Sequence, residues 1–139
     1  MNSPTTVDAS VFVNAFSPTE EGSDQSAQFI NKIRKAATPI IQPTLFLPEV
    51  IASIAHKKGD KELALQLAQE LRRFSSITIV SLDEKLADFA SEVAANYRLR
   101  GSDAVYAAVA LRFGCELVTL DKEQLERLPG IVAVRSPAT

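Results

Sequence analysis

Short apolar, β-branched runs alternate with segments of helical period along the whole chain, and this alternation restricts the fold more than any other feature. Residues 5–8, 39–42, 77–80, 115–120 and 131–134 read as strands. A helical turn over 10–16 ends at Ser17-Pro18, and 23–37 forms a helix with Phe29, Ile30 and Ile33 on one side. Thr44 caps a helix that runs to Lys57 and closes at Gly59, with Leu47, Val50, Ile51 and Ile54 as its apolar stripe. Asp60 caps the next, which carries Leu63, Leu67, Leu71 and Phe74. The capping box Ser81-Leu82-Asp83-Glu84 opens another, to Tyr97. Gly101-Ser102 starts a helix with Val105, Val109 and Phe113 at i, i+4 and i+8, and 121–128 is a short one. Strands separated by helical crossovers imply an α/β fold, helices packed around a mainly parallel sheet. The 139 residues suit a single domain over 1–139.

Composition enters mainly by exclusion. Apolar residues are 46% and charged residues 23%, an ordinary globular balance with a core of Ala, Leu, Val and Ile. The lone Cys115 cannot form an internal disulfide, which fits a reducing compartment. Residues 1–6 hold no basic run and read as no signal peptide, and no apolar segment nears the roughly 20 residues that span a bilayer. A cytoplasmic protein with no membrane partner is expected. The five glycines, at 22, 59, 101, 114 and 130, form neither a G-x-G-x-x-G nor a Walker loop. His56 is the only histidine, there is no G-x-S-x-G, and a His/Cys zinc site lacks ligands. A haloacid-dehalogenase phosphatase would want a second Asp where Ser10 stands.

The carboxylates are more informative. Ligands of open α/β sheets gather at the carboxyl ends of the strands. Asp8 ends the first strand, Asp121 follows the strand at 115–120, and Asp103 opens a helix, so all three reach one sheet edge, with no basic partner beside them in sequence. Glu49 lies off its helix's apolar stripe, on the face of Ser53 and His56. Each has an ordinary alternative: Asp8 as a cap, Asp103 at the positive end of a helix, Asp121 paired with Gln124 in a capping box, Glu49 as plain surface. Together, hard oxygen ligands without a Cys or His cluster suit Mg²⁺ or Mn²⁺. The net charge of −2 argues against a nucleic-acid partner until bound cations are counted.

Four short motifs in order resemble those of PIN domains: Val7-Asp8-Ala9-Ser10-Val11, Leu47-Pro48-Glu49-Val50, Ser102-Asp103-Ala104-Val105-Tyr106-Ala107-Ala108-Val109-Ala110 and Leu117-Val118-Thr119-Leu120-Asp121. The resemblance runs from Thr5 to about Val134, and the length suits a stand-alone VapC-like protein. It implies a three-layer α/β/α sandwich with a parallel sheet, and Mg²⁺- or Mn²⁺-dependent cleavage of RNA. It further implies a homodimer neutralised by a VapB-like antitoxin protein. Asp8, Glu49, Asp103 and Asp121 would be the metal-site acids, with Ser10 and Thr119 orienting Asp8 and Asp121. Of the basic groups, Lys57, Lys58, Arg98 and Arg100 flank the acid edge and are the expected RNA contacts. The apolar stretch 44–54 is the expected source of interface area. The rival reading is a PIN-like RNA- or protein-binding module with little or no nuclease activity.

Overall fold

Five parallel strands make one sheet in the order β3-β2-β1-β4-β5: β1 (Thr5–Val7), β2 (Ile40–Pro43), β3 (Ile77–Val80), β4 (Glu116–Val118) and β5 (Val134–Arg135). They are seen in a computed structural model that describes residues 3–139; Met1 and Asn2, part of the N-terminal segment read above, lie outside the described residues. The helices are α1 (Ala9–Ala15), α2 (Ser23–Lys35), α3 (Phe46–Lys58), α4 (Lys61–Arg72), α5 (Glu84–Tyr97), α6 (Gly101–Phe113) and α7 (Lys122–Arg127). The result is the α/β/α arrangement that strand–helix alternation implies. Among the described residues no helix is long and apolar enough to cross a membrane.

The strand order matters for function. From β1 the chain builds outward through β2 to β3, then returns to the other side of β1 for β4 and β5. This reversal opens a crevice at the carboxyl ends of β1 and β4, where neighbouring crossovers depart in opposite directions. Val7 and Val118 are register partners there, so the residues that follow them emerge side by side. On the other flank of β1 the backbone ladder to β2 has a single register pair, Thr5 with Ile40. The Gln42 side chain continues it: its Oε1 accepts from the Val7 N–H at 2.8 Å and its Nε2 donates to the Val7 carbonyl at 2.7 Å. Gln42 is fully buried, and its amide satisfies two backbone groups that would otherwise be stranded in the core.

Helix α1 packs against both α2 and α3, and α3 against α4, with the Phe12 and Phe46 rings edge-on at 5.0 Å between α1 and α3. Helix α6 pairs with α5 and crosses β1, β2 and β4. The i, i+4, i+8 stripe read from its sequence is not what α6 presents. Asp103 through Ala110 are buried on every side, while Phe113, counted in that stripe, is 41% exposed. A helix packed between a sheet and another helix needs small apolar residues all round, which the alanines supply, and its last turn leaves the core before Gly114.

Other expectations need local revision. Thr44 does not cap α3: its hydroxyl donates to the Val80 carbonyl at 2.9 Å and accepts from the Leu82 N–H, and Leu45 stands at the cap position. The box at 81–84 resolves to Asp83 alone, whose carboxylate accepts from the Leu86 N–H. The last strand begins three residues late, because Ile131 and Val132 are tied into a turn on the Leu128 carbonyl. In the 44–54 stretch, Phe46, Val50 and Ile54 are buried and Leu47 and Ile51 pack against the core, so that stripe is used inside the molecule.

Candidate functional site

Asp8 is fixed by what surrounds β1 and β4. Its Oδ2 accepts from the Ser10 hydroxyl at 2.6 Å, the Ser10 N–H at 3.3 Å and the Thr119 hydroxyl at 3.2 Å. The Ser10 bond caps α1, so the capping role and the shared-edge position coincide in one residue. Ser10 Oγ in turn accepts from the Leu120 N–H at 3.2 Å, which stitches the start of α1 to the segment after β4. Burial is the largest influence on the Asp8 carboxyl and raises it above the usual range, against the pull of Ser10 and Thr119, while Asp121 adds to the rise.

Thr119 does not bond the Asp121 carboxylate. It accepts from the Asp121 backbone N–H at 3.0 Å, and its own proton goes to Asp8. One hydroxyl therefore sets the position of both acids, through a side chain on one side and a main chain on the other. The capping-box alternative for Asp121 fails: its side chain makes no cap bond, and Gln124 turns instead to Thr119 Oγ1 at 3.4 Å. The Asp121 Oδ2 atom is buried without a hydrogen-bond partner.

Asp103 sits in the first turn of α6, nearly fully buried. Burial is again the first cause of its carboxyl being pushed up to about 6; Asp8 and Asp121 push the same way and Arg100 opposes them. The expectation that no basic residue stands beside the acids is overturned here. Arg100 lies one helical turn before Asp103, with Nε 3.0 Å from Asp103 Oδ2 and Nη2 3.7 Å from Asp121 Oδ1. Glu49, half-buried in the first turn of α3, also has a raised carboxyl, chiefly through burial and then through Asp8. Tyr106 and Ser102 pull it the other way. Glu49 Oε1 and the Tyr106 hydroxyl are buried neighbours that act on each other's titration, although no hydrogen bond of ordinary length closes between them, and burial strongly disfavours ionisation of Tyr106.

These groups meet at a cleft of about 630 Å³ whose walls include Asp8, Ser10, Glu49, Ser53, Ser102 and Asp103. Asp121 does not line it, but Arg100 does. The far rim is pinned by Asn14, a buried side chain that donates to Glu20 and to the Glu21 carbonyl and accepts from Ser26. Glu20 then accepts from Lys57 of α3 at 2.8 Å. Of the four expected RNA contacts, Lys57 and Arg100 line the cleft; Lys58 and Arg98 are exposed beyond its lining. Arg98 ends α5 in the left-handed region (φ 55°), and its carbonyl accepts from Arg127. His56, placed with Glu49 by the helical wheel, is exposed outside the lining, whereas Ser53 is part of it.

Asn14, Gln42 and Tyr106 have no role in the sequence reading. Each is a buried polar side chain inside an apolar run, and that is the signal that marks such positions for attention.

Among the described residues, no three His, Cys, Asp or Glu side chains are drawn together into a ready-made cation site. The donor set nonetheless suits a hard divalent cation. It consists of carboxylates, two of them with a buried oxygen lacking a hydrogen-bond partner, and three of the four are raised, first by burial and then by the neighbouring acids.

A PIN domain family model matches residues 5–131. The fold is similar to VapC20 from Mycobacterium tuberculosis, a sarcin-ricin loop cleaving toxin, with a TM-score of 0.74, 18% identity, and 94% of this chain and 98% of that chain covered. It is similar to a chain of a toxin–antitoxin complex from Klebsiella pneumoniae, with a TM-score of 0.68, 20% identity and coverage of 96% and 97%. PAE2754 from Pyrobaculum aerophilum gives 0.67, 24% identity and coverage of 99% and 92%. At these identities the likeness is one of fold. No curated protein sequence matches.

Proposed function

The chain belongs to the PIN domain family, and from that premise we propose that it hydrolyses RNA phosphodiester bonds as a Mg²⁺- or Mn²⁺-dependent endoribonuclease, the VapC-type toxin of a toxin–antitoxin pair. One observation carries this reading. Three carboxylates from three different elements, Asp8, Glu49 and Asp103, line one cleft, with Asp121 beside them and no salt bridge from any of the four except to Arg100 among the described residues. Burying several anions at one place costs several kcal/mol per ion in the absence of a cation, and against four such acids stand the cap that Asp8 gives α1 and the one guanidinium of Arg100.

In this reading Asp8, Asp103, Asp121 and Glu49 hold the cation. When bound, it supplies Lewis-acid stabilisation of the charge that builds on the phosphodiester. The protein's own part is positioning. Ser10 and Thr119 saturate Asp8 Oδ2, so the carboxylate cannot rotate away from the cleft. Glu49, its affinity for a proton increased first by burial, would orient and polarise the attacking water beside the cation. Lys57 and Arg100 meet the phosphate backbone at the rim. A VapB-like antitoxin, a homodimeric assembly and a cytoplasmic location belong to the same proposal, supported by the fold's likeness to chains of toxin–antitoxin complexes.

Incubation of the purified protein with mixed RNAs, with Mn²⁺ or Mg²⁺ and with or without EDTA, tests it: cleavage is expected only with free divalent cation, and cleavage that survives EDTA overturns the mechanism. The loose spacing of the acids favours a second reading, a binding module without turnover. A Mn²⁺ titration separates the two, since saturable binding at this edge is required by the first.

A further inference from the structure

Two carboxylates on different elements share one guanidinium. Arg100 holds Asp103 of α6 at 3.0 Å and reaches Asp121, at the start of α7, at 3.7 Å. The anions are fixed and largely buried, with side-chain exposures of 8% and 17%, whereas Arg100 is 71% exposed. It stands at the cap position of α6, but its side chain makes no capping bond, so the helix does not depend on where that side chain goes. It also lines the cleft from which Asp121 is absent. The guanidinium thus fills, with one delocalised charge, the gap between two acids that would otherwise repel across it.

That position is incompatible with a second cation. A divalent ion on Asp103 and Asp121 would place like charges a few ångströms apart, an unfavourable contact even at the high effective dielectric of a protein surface. Arg100 loses little by leaving, because its side chain is already 71% exposed to water and the incoming cation takes over the charge of the two acids. Once released, the planar fork remains tethered to the cleft wall, with a geometry that matches a phosphate.

We propose that Arg100 is a cation-exchanged arm. Without divalent cation it bridges Asp103 and Asp121; cation binding releases it, and it then takes a phosphate of the RNA entering the cleft. RNA binding through Arg100 is therefore conditional on the metal, so that RNA is gripped only by a site already loaded. This rests on the reading that the acids hold a divalent cation.

The test uses the full chain, wild type and Arg100→Gln. Calorimetric titration with Mn²⁺ is expected to show the variant binding about tenfold tighter, a difference of roughly 1.4 kcal/mol. Binding of a cleavage-resistant, phosphorothioate-linked single-stranded RNA is expected to be unchanged by the substitution in EDTA and several-fold weaker in Mn²⁺. Arg100→Lys keeps the charge but not the fork, and should leave Mn²⁺ affinity near wild type while still weakening RNA binding in Mn²⁺. An equal loss of RNA affinity with and without Mn²⁺ would make Arg100 a fixed phosphate ligand and overturn the exchange. So would Mn²⁺ binding by both proteins with the same affinity. Failure of either protein to bind Mn²⁺ at all overturns the metal-dependent reading, and the exchange with it.

Discussion

Replacing Asp103 with Asn removes one negative charge at nearly constant shape and separates a strained anion from a structural cap. The carboxyl of Asp103 is pushed up to about 6, first by burial, from an ordinary value of 3.8. At about 1.4 kcal/mol per pH unit, keeping it ionised in the fold near neutral pH costs roughly 3 kcal/mol. Because the folded value lies above the unfolded one, the favourable contribution of the protonated group is complete below about pH 4 and is lost as pH rises through about 6. Asn escapes this cost, which is already net of the pull of Arg100, but offers the guanidinium only a weaker, uncharged acceptor. The metal-free variant should therefore be more stable than wild type at pH 7–8 by about 1–2 kcal/mol, a rise of several degrees in Tm, with the difference shrinking towards pH 4. Excess Mn²⁺ should reverse the order, since the wild type gains more binding energy. Thermal melts at pH 4.5, 6 and 7.5, in EDTA and in Mn²⁺, measure all of this. A variant that is less stable by a constant amount at every pH and in both buffers would refute the reasoning and leave Asp103 as a favourable charge at a helix terminus.

Gln42→Leu should cost about 1–3 kcal/mol in denaturant unfolding, because it leaves the buried N–H and C=O of Val7 without partners; a neutral result would mean that the β1–β2 ladder closes by itself. Lys57→Glu should weaken RNA binding and reduce its salt dependence by about one phosphate contact, while Lys58→Glu, outside the cleft lining, should change it less; equal effects would return both lysines to an undifferentiated basic surface. Light scattering at tens of micromolar should show a dimer, and a strict monomer would remove the homodimer from the proposal.

Much of the architecture is written locally. Thr5–Val7, Ile40–Pro43 and Ile77–Val80 are β-branched or apolar runs set between helices, and the chain orders them as that pattern implies. The candidate acids are visible because Asp8 directly follows β1 and Asp121 comes three residues after β4, a position set by topology more than by detailed packing. What sequence did not disclose depends on contacts between distant segments. Arg100 and Asp103 are three residues apart, but their pairing gains significance only when Asp121 arrives from another element. Gln42 lies in a strand run, where an amide side chain gives no hint that it will substitute for a missing ladder. Three large residues at helical spacing give the alanine-rich helix at 101–113 a one-sided pattern, whereas it packs on α5 and, across its other faces, on β1, β2 and β4.

The hydroxyl bond from Thr119 to Asp8 joins residues 111 positions apart, and β4 must lie beside β1 for it to exist. A pairing of such wide separation closes late, after local helices and the nearer β2–β3 pairing have had time to form. During synthesis, the segment that carries Asp8 is made early and waits, unpaired on that flank, until the residues of β4 have been added. A nascent or truncated chain ending before β4 lacks Asp121 altogether and leaves Asp8 without its Thr119 partner. The set of four acids therefore becomes whole only once the residues from Thr119 to Asp121 have been added and β4 has docked beside β1.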